Sequence, residues 1–344
     1  AAGPAHARTP VSTERPAKAG LSFSARRFLH EMSRISHPLS ALFGLVLLIA
    51  GPAIARAESS LDIEYAEIQP LAANSLLMDI VRIGDRLVAG GERGHIIYSD
   101  NGQDRVQGGV VPTRSTINRL LVLDDRIWAV GHDSVILTSG DRGETWTRQH
   151  FAPDRMQPIM DVHFSDADNG LVIGAYGLMM TTSDGGQSWT DVVVNEEDDY
   201  HLNAILSFPG GRYLIAGEAG YSYRSLDGGK TWQGMNMPYP GSMFGALETE
   251  GDCVLFYGLR GHVQKSCDFG DSWTELDTGF EATLADAVYH QGRVLMAGNS
   301  GAVLEYADGV FSAYHHSSGV DFSAAISVGE GRFLLVGEEG VHPY

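Results

Sequence analysis

Carboxylate and amide side chains recur at one place along this chain. Asp79, Asn118, Asp161, Asn203 and Asp286 each stand near the start of an apolar strand-like stretch at intervals of about 40 residues, with Gly245 and Ala324 holding the same place twice. If the surrounding segments converge, these groups ring a single mouth. Convergent carboxylates in a concave mouth focus negative potential and steer a basic segment or a cation toward it. The competing use is structural, each side chain tying off its own strand by bonding to backbone N–H groups of its neighbour. Glu92 and Glu218 lie in short turns expected beside that mouth, with Asp133, Glu338 and Glu339, and the loop 195–199 adds four further charges. We expect Asp79, Asn118, Asp161, Asn203, Asp286, Glu92 and Glu218 to form the partner-binding surface.

A second set of polar residues forms turns. The fullest copies read Ser139-Gly-Asp141-Arg-Gly143-Glu-Thr145-Trp146 and Ser225-Leu-Asp227-Gly-Gly229-Lys-Thr231-Trp232. Ser and Asp side chains close such turns on backbone N–H groups, Gly supplies a positive φ, and the Trp buries a large ring. Four good copies of this Asp box, ending at Trp146, Trp189, Trp232 and Trp273, stand in register. Arg86, Arg126, Arg212, Arg293 and Arg332 recur just after another turn, on the side where the Asp boxes are expected, and are read as surface partners of those aspartates. Asp boxes also occur in glycan hydrolases. A sialidase would need three arginines converging on one carboxylate and a Tyr/Glu pair, and no such set can be matched. No catalytic residue, metal ligand set or cofactor motif is assigned. Cys253 and Cys267 face each other across a predicted hairpin and can form a disulfide in an oxidising compartment. Met156, Met160, Met235, Met237 and Met243 gather in connections between repeats and read as packing. His315-His316 reads as part of a solvated loop.

The elements that carry these residues follow from the repeat. A phrase of apolar strand, Gly, two variable residues and a second strand recurs seven times, marked by Gly91, Gly131, Gly174, Gly217, Gly258, Gly298 and Gly337. Four to six residues of period-2 alternation between Gly and Asp turns make short strands. Four such strands in a unit of about 40 residues make a propeller blade. The fold class is therefore all-β, a seven-bladed β-propeller with four-stranded antiparallel blades over 58–344. The last unit ends after its third strand, so Leu61–Ile68 is expected to supply the missing outer strand of blade seven.

The residues before the repeats have another character. Met32 opens a short basic segment, an apolar run from Leu39 to Ile54 and an Ala-Arg-Ala site at 55–57. That pattern reads as a signal peptide over 32–57, cut after Ala57, and hence as export to the periplasm. Residues 1–31 read as an over-extended N-terminus. The whole sequence carries 24 Lys and Arg against 43 Asp and Glu, a formal charge of −19. A balance so acidic argues against nucleic acid as a partner.

The repeated unit resembles the plant and cyanobacterial photosystem II stability and assembly factor family, called Ycf48-like. Its third copy carries the likeness best: Met160-Asp161-Val162-His163-Phe164, then Gly170-Leu171-Val172-Ile173-Gly174-Ala175-Tyr176-Gly177, then Thr182-Ser183-Asp184-Gly185-Gly186-Gln187-Ser188-Trp189. The resemblance covers about 61–344 and implies a seven-bladed propeller that acts as an assembly scaffold and not as an enzyme. The photosynthetic members present an arginine patch to their client, and no such patch can be matched here. The expectation is a monomeric, non-catalytic binding or assembly factor for an envelope or membrane protein, such as a transport complex, with at most peripheral contact with the membrane. The alternative is an Asp-box glycan hydrolase or lectin.

Overall fold

Short alternating strands separated by Gly-centred turns pair only with their sequence neighbours, so each repeat folds into one meander. The computed structural model describes residues 63–344 and shows seven such sheets. The inner strands are Leu77–Ile83, Ile117–Leu123, Ile159–Phe164, Leu202–Phe208, Met243–Glu248, Leu284–His290 and Phe322–Gly329. Blades one to six have four antiparallel strands and blade seven has three. The expected leader and over-extended segment, 1–57, lie outside the described residues.

Each blade buries both faces against its neighbours, and the core is divided accordingly. Ile96, Ile117, Ile127 and Leu137 pack between blades one and two, and Leu255, Val263, Leu284 and Leu304 between blades five and six. The Asp-box tryptophans cover the outer parts of these seams: Trp146 is buried, and Trp189, Trp232 and Trp273 are half-buried against the seams beside them.

The marker glycines answer to crowding. Gly91 and Gly298 have extended backbones that any residue could adopt, but a Cβ there would overlap the carbonyl oxygen of Leu76 and of Thr283 respectively. Those carbonyls accept the N–H of Glu92 and of Asn299, and the same bond recurs in every blade. It pins the turn between the second and third strands to the start of the inner strand.

The expected closing strand is not formed by residues 63–68; its first two positions, 61 and 62, lie outside the described residues. The segment runs across the connection between blades one and two. Ala66 N–H donates to the Val111 carbonyl at 2.9 Å, Arg114 Nε to the Tyr65 carbonyl at 3.1 Å, and Gln107 Nε2 to the Glu67 carbonyl at 2.8 Å. The reason lies partly in the edge that it would have had to join. Phe333 and Tyr344 exchange both backbone bonds, so the alternate residues Val341 and Pro343 turn their backbone groups outward. Pro343 has no N–H, the Val341 carbonyl accepts from Arg105, and His316 Nε2 lies 3.4 Å from the Pro343 carbonyl. That edge is blunted. The ring closes by packing, with Ala324 and Val336 of blade seven against Leu77, Ile80 and Ala89 of blade one.

Candidate functional site: the channel mouth and its floor

The inner strands approach the channel with one irregularity in common. Leu77 pairs with Gly91 but Asp79 pairs with Gly90, so Met78 is an extra residue, a β-bulge. The same shift leaves Asn118, Met160, Asn203, Phe244, Ala285 and Ser323 unpaired in the other blades. All seven bulged residues line a cavity of about 610 Å³ at the mouth of the channel. It opens on the side of the inner-strand starts, and His132, Asn299 and Glu338 from the neighbouring turns stand at its margin.

The bulges correct the expected ring. The residues in register with Asp79 are Arg119, Asp161, Ala204, Gly245, Asp286 and Ala324. Asn118 and Asn203 stand one residue earlier, on the bulge. Alignment on the apolar residues Leu77, Ile117, Ile159 and Leu202 would have put Arg119 in the ring.

Arg119 changes the chemistry of the floor. Its guanidinium lies 3.4 Å from Asp161, 3.6 Å from Asp286 and 3.8 Å from Asp79. One cation from blade two thus braces carboxylates from blades one, three and six. The aspartates are occupied from the other side as well. Leu120 N–H donates to Asp79 Oδ2 at 2.7 Å, Ile205 N–H to Asp161 Oδ2 at 2.9 Å and Ala325 N–H to Asp286 Oδ2 at 2.9 Å. Each donor belongs to the next blade. Asp79 Oδ1 and Asp161 Oδ1 also accept from Ile80 and Val162.

The residue types follow from these bonds. A carboxylate has acceptors on both oxygens and can take one N–H from its own strand and one from the next blade. An amide on the bulge does the converse: Asn118 Nδ2 donates to the Ile159 carbonyl and Asn203 Nδ2 to the Met243 carbonyl, both at 2.8 Å. The tying of strand to strand is what the structure shows for all five residues. The two glutamates are engaged too. Glu92 Oε1 accepts from Leu76 N–H at 3.4 Å and Glu218 Oε2 from His201 N–H at 3.2 Å, each within its own blade.

Burial sets the electrostatics. It drives the Asp79 carboxyl up to about 6, the pull of Arg119 notwithstanding, and raises that of Asp286. Arg119 is held firmly protonated by Asp79 and its fellow carboxylates. Tyr257, which fills the space left by Gly245, is kept protonated by burial and donates to Asp286 at 3.4 Å. Neither Arg119 nor Tyr257 was picked out from the sequence.

The other polar sets divide. In the Asp boxes, Ser139 Oγ accepts the Gly143 N–H and Asp141 Oδ1 the Thr145 N–H, both at 2.9 Å, and the pattern repeats at Thr182/Asp184, Ser225/Asp227 and Ser266/Asp268. Hydroxyl and backbone donors pull Asp184, Asp227 and Asp268 down to about 2. The expected pairing of arginines with these boxes holds only for Arg86, which meets Asp100 at 2.7 Å, in the Trp-less first copy, and Glu144 at 3.0 Å. Arg126 lies over Trp128, Arg212 over Phe269, Arg293 meets Glu305 and Arg332 meets Glu330. Asp-box aspartates are saturated by their own turns, which leaves the arginines to other partners. Cys253 and Cys267 are joined across the blade-five hairpin, flanking the pair Val254 and Ser266. Among the described residues no group of three or more His, Cys, Asp or Glu is placed to hold a metal ion.

Residues 150–277, which hold blades three to five, match the sequence family described as photosynthesis system II assembly factor YCF48. No curated protein sequence matches the chain. Among solved structures, YCF48 bound to a D1 peptide is 17% identical, with a TM-score of 0.65 over 83% of this chain and 97% of that one. YCF48 from Cyanidioschyzon merolae is 14% identical, with a TM-score of 0.63 over 81% and 96%. The WD40 propeller domain of Doa1 is 10% identical, with a TM-score of 0.64 over 81% and 94%. The structural likeness carries the fold, and with the family match over 150–277 it supports a Ycf48-like β-propeller.

Proposed function

We propose that this propeller is a non-catalytic binding or assembly factor that holds a segment of a partner protein in the channel mouth. The observation that carries this reading is the cavity itself. Its floor is a set of charges already satisfied within the chain, and its wall is apolar around Met78, Met160 and Phe244. A wall of flexible thioethers and an aromatic ring suits an adaptable apolar contact. The three aspartates brace the ring at the floor, and the margin at Asp321 and Glu338 is acidic as well. A peptide occupant is supported by the related fold of YCF48, known with a D1 peptide bound.

Two features favour this over a glycan hydrolase. The cavity's one arginine is committed to three aspartates of its own chain, which leaves no clamp for a sugar carboxylate. Each of those aspartates is braced by a backbone donor of the next blade, which suits a brace better than a general acid or base. The partner is an envelope or membrane protein and the propeller is exported as a monomer to the periplasm; the Cys253–Cys267 bond and the leader-like pattern at 32–57 support that compartment.

The test is site-specific photo-crosslinking in the native envelope. A benzoylphenylalanine at Phe244 should trap a peptide of one envelope protein, and the same probe at Lys230, beside an Asp box, should trap none. Crosslinks from Lys230 alone, or turnover of glycosides by the purified protein, would overturn the proposal.

A further inference from the structure

A second surface stands apart from the channel. It lies on the rim of blades three and four, where the connection from Thr190–Asp191 to the next inner strand passes over two adjoining hollows. The first, about 690 Å³, is bounded by Tyr176 and residues 191–199. The second, about 480 Å³, shares Val194 and Asn195 with it and reaches Tyr221 and Ser222.

Three observations here go unexplained by folding. Large apolar surface faces solvent, with Tyr176 54% exposed and Val193 67% exposed. Tyr200 stacks on Tyr221 with ring centroids 4.1 Å apart, which presents a broad aromatic face beside the connection. Ser222, 1% exposed, stands in the wall of the second hollow, and its hydroxyl has no protein partner. A buried hydroxyl without a partner is uncommon in a native wall.

Charge selects the occupant. Glu196, Glu197, Asp198 and Asp199 stand in succession over the groove, and none has a Lys or Arg at ion-pair distance among the described residues. The neighbouring Arg155 is taken by Asp191 at 2.8 Å. Four carboxylates beside exposed tyrosine faces suit guanidinium or ammonium groups, which pair with the former and stack on the latter. An ion alone would leave the tyrosines and Val193 uncovered. An anionic membrane surface would be repelled.

We infer that this groove binds an extended basic segment of a partner protein, with Arg or Lys alternating with apolar side chains. Alternation places the cations toward the 196–199 loop and the apolar groups against Tyr176, Val193 and Tyr221. This site is independent of the channel mouth.

The experiment is fluorescence anisotropy with a labelled twelve-residue peptide of alternating Arg and Leu at near-physiological salt. The full chain should bind it, and the matching Glu/Leu peptide should not bind. The variant E196Q/E197Q/D198N/D199N should weaken binding about tenfold, and Tyr176→Ala with Tyr221→Ala about fivefold. A control of equal net charge, D124N/D125N/D308N/E330Q, should change it less than about twofold. Channel-mouth substitutions such as Phe244→Ala should leave it unchanged. The inference fails if the Arg/Leu peptide does not bind, if the control weakens binding as much as the loop variant, or if a peptide of arginines alone binds equally well to wild type and to the tyrosine variant. Failure in any of these ways leaves the channel-mouth proposal standing, since that is read from crosslinks at Phe244.

Discussion

Replacing Arg119 by Met should make the stability of this propeller strongly dependent on pH. Arg119 lies within 3.8 Å of three buried carboxylates from three other blades, and Met removes the charge while keeping an unbranched chain as far as the position of Nε. Removing one partner from a buried ion pair typically costs 3–5 kcal/mol, because a buried charge is left uncompensated. About a third of the Arg119 side chain (35%) is open to the cavity, so water screens part of the loss and about 2–4 kcal/mol is expected at pH 8. The pH dependence follows from Asp79. Its carboxyl sits at about 6 in the fold against 3.8 ordinarily, so the folded state holds the proton more tightly than the unfolded state. The ionised form therefore carries a penalty of about 3 kcal/mol that is fully present above pH 6 and is relieved as the pH falls from about 6 toward 4. Without Arg119 the carboxyl should rise further, and the loss should shrink between pH 8 and pH 5 as Asp79 and Asp286 take up protons. Urea denaturation of both proteins at pH 8, 6.5 and 5 measures this. An equal loss at all three values, or a loss under about 1 kcal/mol at pH 8, would refute the role assigned to Arg119.

Further outcomes follow from the same structure. Asp161→Asn should destabilise at pH 8 even though the shape is kept, since an amide group would face an N–H donor at Val162 or Ile205; a loss below about 0.5 kcal/mol in denaturant titration would contradict that bonding. Gln264 is fully buried with neither end of its amide bonded to protein, so Gln264→Leu should raise stability by about 1–2 kcal/mol and the thermal midpoint by several degrees. Gly298→Ala should cost about 2–4 kcal/mol, as the new methyl must displace the Thr283 carbonyl; an unchanged midpoint would show that the turn can relax. The unreduced protein should show no reactive thiol. Replacing both Cys253 and Cys267 by Ser should cost up to about 3 kcal/mol, as a bond closing a loop of this length restrains the unfolded chain, and full thiol labelling without reductant would exclude it.

Much of this protein is legible in its sequence because a propeller is built from local rules. Strands that pair only with their neighbours are set by alternation and turn chemistry, both of which repeat visibly about every 40 residues. The Asp boxes behave as read, since their bonds run between residues at most four apart. The meeting of Cys253 and Cys267 also depends only on the register of one hairpin. What tertiary structure decided lies where the blades meet. A bulge of one residue at the head of each inner strand shifts which side chain enters the ring, and this moved Asn118 and Asn203 out of it and Arg119 in. Which surface covers the first segment depended on the edge of blade seven, where Pro343, Arg105 and His316 block a fourth strand, and on donors offered by Gln107 and Arg114. The sign of the channel floor depended on contacts between residues 40 to 167 positions apart. Three aspartates read alone suggest a negative mouth; closing the ring brings them onto one guanidinium, and burial then costs the charges that sequence counts as free.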